Sequence, residues 1–187
     1  MIKVTNINKK FDREVLKDIS FEIEQGEVVF ITGQSGIGKT TLLHIMMGLI
    51  PADSGEVSGI PSKMSCVFQE DRLLEEMSVC NNLKMVTDIP IEILQKECQK
   101  IFKEDIFKEK VKNLSGGMKR RVAVLRAMLA DAEIVFMDEP FSGVDAENRK
   151  LVVDYILQNK QQKTLMIVSH DKEEMLMFRT YKHIHIG

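Results

Sequence analysis

The chain has 187 residues, 44% hydrophobic and 29% charged, with a formal net charge of −2. That length suits one domain with room for an inserted subdomain, and the composition builds a real core in a soluble protein. The near-neutral balance gives no sign of an overall basic nucleic-acid footprint and leaves local patches open. No apolar stretch spans a bilayer, and the start Met1-Ile2-Lys3-Val4-Thr5-Asn6 has no signal-peptide apolar region. Three cysteines, Cys66, Cys80 and Cys98, are odd in number and lack metal-ligand spacing, which predicts free thiols in a reducing compartment, the cytosol.

In chain order, Ile2 to Ile7 and Ile19 to Ile23 alternate apolar with polar residues, as half-exposed antiparallel strands do. Phe11 falls in the polar turn between them, either as a core or edge residue or as a platform for a flat base. After Gln25-Gly26 comes the continuous apolar run Val28-Val29-Phe30-Ile31, which predicts a parallel strand buried on both faces. Gly33-Gln34-Ser35-Gly36-Ile37-Gly38-Lys39-Thr40-Thr41 follows, and then Leu42, Leu43, Ile45, Met46 and Leu49 at helical spacing. Glycines on a strand-to-helix turn let successive amides face an anion, and the helix N-terminus adds partial positive charge. Lys39 is then placed to reach the β- and γ-phosphates, and the Thr40 hydroxyl suits Mg²⁺. This stretch predicts a nucleoside triphosphate site.

Pro51 to Gly55 reads as a turn, followed by a short strand pair, Glu56-Val57 and Met64 to Phe68, ending at Gln69. From about Leu73 to Lys112, charged residues interleave with apolar ones at helical spacing, with a break at Asp88-Ile89-Pro90 and Ile91, Leu94, Cys98 and Ile101 on one face. Leu114-Ser115-Gly116-Gly117 opens a helix running to about Ala130; Ser115 is its expected cap, and the glycines leave its first amides open to a ligand. Ala132 to Pro140 reads as a buried strand ending in two carboxylates, Asp138 and Glu139. A helix over about Ala146 to Asn159 buries Leu151, Val152, Tyr155 and Ile156. The strand Thr164 to Val168 ends at Ser169-His170-Asp171, and a helix over Lys172 to Met177 and a strand over Lys182 to Ile186 follow. Apolar strands alternating with helices predict an α/β fold with a mainly parallel sheet flanked by helices on both faces. Ligands bind such sheets at the strands' carboxyl ends, where the phosphate loop, Gln69, Asp138, Glu139 and His170 all fall.

The chemistry follows from those positions. Asp138 suits a metal ligand, directly or through water, and Glu139 suits a base that polarises water for in-line attack. Gln69 can bridge metal and water, and His170 can bond the γ-phosphate or the attacking water; either side chain alone would be an ordinary surface group. His44, His183 and His185 read as structural.

These residues in this order resemble the ATP-binding subunit of ABC transporters, over nearly the whole chain. Gly33 to Thr41 (with Gln34, Ser35, Gly36, Ile37, Gly38 and Lys39) is similar to the Walker A motif, Gln69 to the Q-loop, and Leu114 to Gly117 to the signature motif. Ile134 to Asp138 with Glu139 is similar to Walker B and its catalytic glutamate, Ser142 to Asp145 to the D-loop, His170 to the switch histidine, and Phe11 to the adenine-stacking aromatic. The resemblance implies a phosphate-loop NTPase core of the RecA-like type over 1–69 and 118–187, with a reduced antiparallel subdomain and a helical subdomain over about 70–117. It implies ATP and Mg²⁺ (Thr40, Gln69 and Asp138 at the metal) and a head-to-tail homodimer or pseudo-dimer. In that dimer Ser115 and Gly117 of one chain complete the other's site, and Gly116 and Asp145 count with them among the nucleotide-binding residues. It also implies an integral membrane permease as partner, with this chain peripheral on the cytoplasmic face of the membrane and no direct nucleic-acid contact.

Met118 stands where the signature usually closes with Gln, the stretch Gly48 to Gln69 is short, and the chain ends soon after His170 without a regulatory domain. Val67 to Leu74 resembles importers of nitrate, sulfonates or related small anions. The rival readings are a soluble mechanochemical ATPase of the same type acting on nucleic acid or ribosomes, a small-molecule kinase, and an idle nucleotide-binding regulator. The first would bring tandem or coiled-coil additions, the second a basic lid in place of Ser115-Gly116-Gly117, and the third would not need both Glu139 and His170.

Overall fold

The computed structural model describes residues 1–187. Two sheets carry the fold. The larger has five parallel strands in the order β5-β6-β7-β3-β8: β3 (Val28–Thr32), β5 (Met64–Val67), β6 (Ile134–Asp138), β7 (Thr164–Val168) and β8 (Lys182–His185). The smaller is antiparallel in the order β2-β1-β4, from β1 (Ile2–Lys10), β2 (Glu14–Ile23) and β4 (Ser54–Ser58).

The apolar runs sort by parity. Val28, Phe30, Val135, Met137, Leu165 and Ile167 face one layer, and Val29, Ile31, Ile134, Phe136, Met166 and Val168 face the other. A strand covered on both faces must be apolar at every position, because its side chains alternate between two cores. The first layer holds α4 (Gly116–Leu129), α5 (Ala146–Asn159) and the shorter helices α2 (Val79–Lys84) and α3 (Ile91–Ile101), all in one continuous core. The second holds α1 (Lys39–Met46) and the antiparallel sheet. Helices therefore flank both faces, but one face carries a single helix and shares its cover with a second sheet. A last short helix, α6 (Lys172–Leu176), joins β7 to β8 and brings Met175 into the first core.

Four local expectations change. Glu56-Val57 and Met64 to Phe68 do not pair with each other: Val57 lies opposite Val4 of β1, while β5 runs beside β6. The turn between them carries the chain from one sheet to the other. Leu49 lies beyond the end of α1 and is 55% exposed, because the helix closes at Met46 and Gly48 turns the chain with φ +70°. Ile91 sits in the first turn of α3 and is exposed, while Leu94, Cys98 and Ile101 are buried. On α5 the buried residue beside Val152 is Val153, and Leu151 is only half-buried.

Phe30 centres the first core, edge-on to Phe178 at 5.1 Å and to Tyr181 at 5.4 Å. Phe30→Ala removes a fully buried ring and both aromatic contacts, and is expected to cost about 3–5 kcal/mol of unfolding free energy. Urea denaturation of the two proteins measures this, and a loss below about 1 kcal/mol would contradict the core assignment.

Candidate functional site

All five parallel strands end on the same side, so the loops after β3, β5, β6 and β7 converge there. A cleft of about 360 Å³ opens among them, lined by Phe11, Val15, Ser35, Gly36, Gly38 to Thr41, Gln69, Asp138, Glu139 and Val168. A cleft of similar size, about 420 Å³, opens at the opposite ends of the strands around Met128, Tyr155 and Lys163. It lacks the glycine loop and its helix N-terminus.

The phosphate loop closes on its own lysine. The Lys39 ammonium, nearly buried, donates to the carbonyls of Gly33 at 2.9 Å and Gln34 at 3.0 Å. Those bonds hold a positive charge under the loop without a carboxylate to neutralise it. Gly38 caps α1 at φ +110°, and a Cβ there would lie 2.6 Å from Val15 and 2.8 Å from its carbonyl oxygen. No other residue fits, since both the backbone angle and the close approach of β2 forbid a side chain.

The Thr40 hydroxyl donates to Asp138 Oδ2 at 2.6 Å, joining α1 to the end of β6. Asp138 is 4% exposed, so this pair presents hard oxygen donors at the floor of the cleft. Such donors fit Mg²⁺, which takes one or two protein oxygens and keeps waters or phosphate oxygens for the remainder. No group of three or more His, Cys, Asp or Glu side chains gathers as a full metal cage.

Glu139 follows with φ +50°, a left-handed conformation uncommon outside glycine. Its amide donates to Val168 O at 3.0 Å and its carbonyl accepts from Ser142 N at 3.1 Å, so the turn is held on both sides. Strain of about 1–3 kcal/mol at a non-glycine residue persists only where the surroundings enforce it. Here it turns the carboxylate toward His170, whose Nδ1 lies 2.9 Å from Glu139 Oε1. The hydrogen bond and charge of Glu139 raise the His170 pKa above its ordinary value.

Behind His170, the Ser169 hydroxyl donates to Glu174 Oε2 at 2.6 Å, and Arg149 of α5 donates to Asp171 at 3.0 Å. Burial pushes the Glu174 carboxyl up. Burial likewise pushes the Cys66 thiol, near Asp138, up to about 12, and the three cysteines are free and unbridged.

Phe11 stands at the rim in the β1–β2 turn, 56% exposed, with Lys9 Nζ 5.4 Å from its ring centre. It is not a core residue, so its face is open to a flat ligand. Not every expected residue gathers at the cleft. Gly33, Gln34 and Ile37 belong to the loop but do not line it, and His170 does not line it either, reaching it only through Glu139. Ser115, Gly116, Gly117 and Asp145 also lie outside it. Ser115 caps α4, accepting from Met118 N at 3.3 Å, and Asp145 caps α5, accepting from Asn148 N at 3.0 Å and Asn148 Nδ2 at 2.7 Å. The amides of Gly116 and Gly117 fall in the first turn of α4, where no helical carbonyl reaches them. A Cβ on Gly117 would lie 2.6 Å from Gly143 O, so the two loops touch backbone to backbone. Met118, in place of an amide side chain, packs against the first core. His183 Nε2 and His185 Nδ1 both lie on the Thr32 hydroxyl, at 2.7 and 3.1 Å, away from the cleft.

Two residues escaped the sequence reading. Arg13, in the Phe11 turn, reaches Gly36 O at 3.4 Å over the phosphate loop; a cation beside an exposed aromatic was its signal. Arg120 of α4 is buried against the Gln69 loop, and nothing in its helical setting marked it.

Residues 16–142 match the family model described as ABC transporter. The chain is 33% identical over 193 residues to an aliphatic sulfonates import ATP-binding protein of Bacillus cereus, covering 94% of this chain and 77% of that protein. It is also 33% identical over 195 residues to a spermidine/putrescine import ATP-binding protein of Fusobacterium nucleatum, covering 94% of this chain and 52% of that protein. The chain thus spans about half the length of the latter. Among solved structures, an ABC transporter ATP-binding protein from Pyrococcus furiosus superposes with a TM-score of 0.85 at 25% identity, over 99% of this chain and 96% of that one. A bacterial ABC transporter cassette solved as a dimer gives 0.83 at 25% identity, over 99% and 94%.

The Glu139–His170 pair makes a pH prediction. Because the folded pKa of His170 lies above its usual 6.5, the pair's contribution to stability is complete below that value while Glu139 stays ionised. It is lost as pH rises through the folded pKa. An NMR titration of His170 is expected above 6.5 in the native chain and to fall back toward 6.5 in Glu139→Gln. Identical curves in the two proteins would contradict the contact.

Proposed function

The chain belongs to the ABC transporter ATP-binding family and is an ATPase, and from that premise we propose that it works as a composite dimer driving a membrane permease. Two copies, or this chain and a similar one, pack head to tail around two ATP molecules. Each site takes Lys39, Thr40, Gln69, Asp138, Glu139 and His170 from one chain and Ser115, Gly116 and Gly117 from the other. The observation that carries this reading is the division of the anion-binding parts. The phosphate loop lines the cleft, while the second helix N-terminus that begins at Ser115 lies outside it. That terminus can meet a phosphate only across an interface.

In the ATP-loaded cleft the loop amides and Lys39 hold the β- and γ-phosphates, and Phe11 offers its open face to the base. Thr40 and Asp138, with Gln69, are the residues that would hold Mg²⁺, which supplies charge neutralisation at the phosphate oxygens when bound. Glu139 accepts the proton of the attacking water, and His170, which shares a hydrogen bond with it, orients that carboxylate and faces the γ-phosphate. Lys39, drawn by the stronger negative charge, gives up its contacts with Gly33 and Gln34 to reach phosphate oxygens. Asp145 stands beside the interface, where its loop touches Gly117 through Gly143.

No helix of the chain is long and apolar enough to cross a membrane. In the proposed assembly a separate integral subunit carries the cargo, and this chain binds its cytoplasmic face. The names of two similar proteins, importers of sulfonates and of polyamines, favour a small-molecule importer.

Glu139→Gln is expected to stop turnover and hold an ATP-dependent dimer, which sedimentation resolves from the monomer. Adding Ser115→Arg is expected to leave ATP binding intact and abolish that dimer. Sustained turnover in Glu139→Gln removes Glu139 as the base, and a dimer that survives Ser115→Arg removes the composite site.

A further inference from the structure

Residues 68–78, which carry Gln69 from β5 to α2, form no helix or strand of their own, yet α4 fastens them repeatedly. Arg120, with its side chain 8% exposed, donates from one terminal nitrogen to Phe68 O at 2.6 Å and from the other to Gln69 O. Its Nε lies 3.3 Å from Asp71 Oδ1. Farther along the helix, Arg126 donates to Arg72 O at 3.0 Å. Arg72 turns back at φ +43° and lays its guanidinium 3.7 Å from the centre of the Phe68 ring. The neighbouring Arg121 serves another segment. It donates to Ile101 O at 3.0 Å and to Asn148 Oδ1 at 2.8 Å, and its guanidinium lies 4.4 Å from the Phe102 ring centre. Two consecutive arginines thus divide between them the Gln69 loop, held by Arg120, and the end of α3 with the start of α5, held by Arg121.

We propose that Arg120 is a positioning residue for Gln69, locking the loop's backbone to the helix that begins at Ser115 so that the two move as one body. The inference rests on the ATPase reading, in which Gln69 acts at the metal and the attacking water. The physical warrant is the fork. A guanidinium reaches two adjacent carbonyls and a carboxylate at once with fixed geometry, whereas an ammonium on a flexible stem is a single point of attachment. A rigid link of this kind converts displacement of the α4 N-terminus, where a partner's nucleotide would bind, into displacement of the Gln69 side chain in the chain's own cleft. Lys39, Gly38 and Phe11 are attached to other elements and stay in place.

The test is a double-mutant cycle on the full chain, measuring Mg²⁺-dependent ATP hydrolysis. Arg120→Lys is expected to lower kcat about tenfold with KM for ATP within about twofold of the native value. In a Gln69→Ala background the same substitution is expected to lower kcat by less than about twofold, because its target is already gone. Arg121→Lys serves as the comparison, with the same loss in both backgrounds. Hydrogen exchange at the amides of residues 69–73 is expected to quicken in Arg120→Lys and not in Arg121→Lys.

Should Arg120→Lys melt before it can be assayed, Asp71→Asn removes the ion pair while keeping both carbonyl bonds, and is expected to show the same dependence on Gln69 at smaller size. An equal loss in both backgrounds, or an unchanged kcat with Arg120→Lys, overturns the proposal while leaving the ATPase reading intact. A native chain with no ATP hydrolysis overturns both.

Discussion

A hydrogen bond of 2.6 Å between Thr40 and Asp138 ties the helix after the phosphate loop to the end of β6. Burying a carboxylate is costly unless its oxygens are satisfied, and here the hydroxyl on α1 supplies that partner. The pairing requires β3 and β6 to lie in one sheet with the same sense, separated by β7, and that is the order found. Once that bond is formed, Glu139 and His170 follow from register, because Asp138 stands opposite Val168 and each strand then continues by one or two residues, bringing Glu139 into the cleft and His170 beside it. The site is therefore a consequence of strand order, and its polar groups sit where the sheet's hydrogen bonding ends.

Two features trade stability for chemistry. Glu139 holds a left-handed backbone that most residues avoid, and Lys39 is almost buried with only carbonyls for partners. Both are held by backbone contacts from neighbouring strands and loops. An anion in the cleft would answer the lysine, and water between Glu139 and the phosphate would answer the carboxylate. In the proposed dimer, the helix N-terminus at Ser115, which stays outside the cleft, would answer a charge that another chain brings.

Much of this was legible in the sequence. Unbroken apolar runs at Val28 to Ile31, Ile134 to Met137 and Thr164 to Val168 named the buried parallel strands, and the glycine loop with Lys39 and Thr40 named the phosphate end. The strand partners of Val57 and Met64 were not legible, because β4 and β5 look alike locally and differ only in which distant strand they meet. Leu49 and Ile91 misled because helical spacing continues past the point where a helix closes or packs. Ser115 was legible as the cap of α4, whereas Asp145 was identified by resemblance alone, and its capping of α5 emerges only with the helix end in place. Arg120 was invisible for a different reason: its partners are backbone carbonyls some fifty positions away, and carbonyls leave no mark in a sequence.

The central claim is that one chain holds half of each ATP site. The most direct measurement is specific ATPase activity against protein concentration, over a range where sedimentation finds the chain passing from monomer to dimer in the presence of ATP. The composite site predicts that activity per chain rises with concentration and levels off as the dimer saturates. Constant activity per chain down to concentrations where only monomer is present would contradict it.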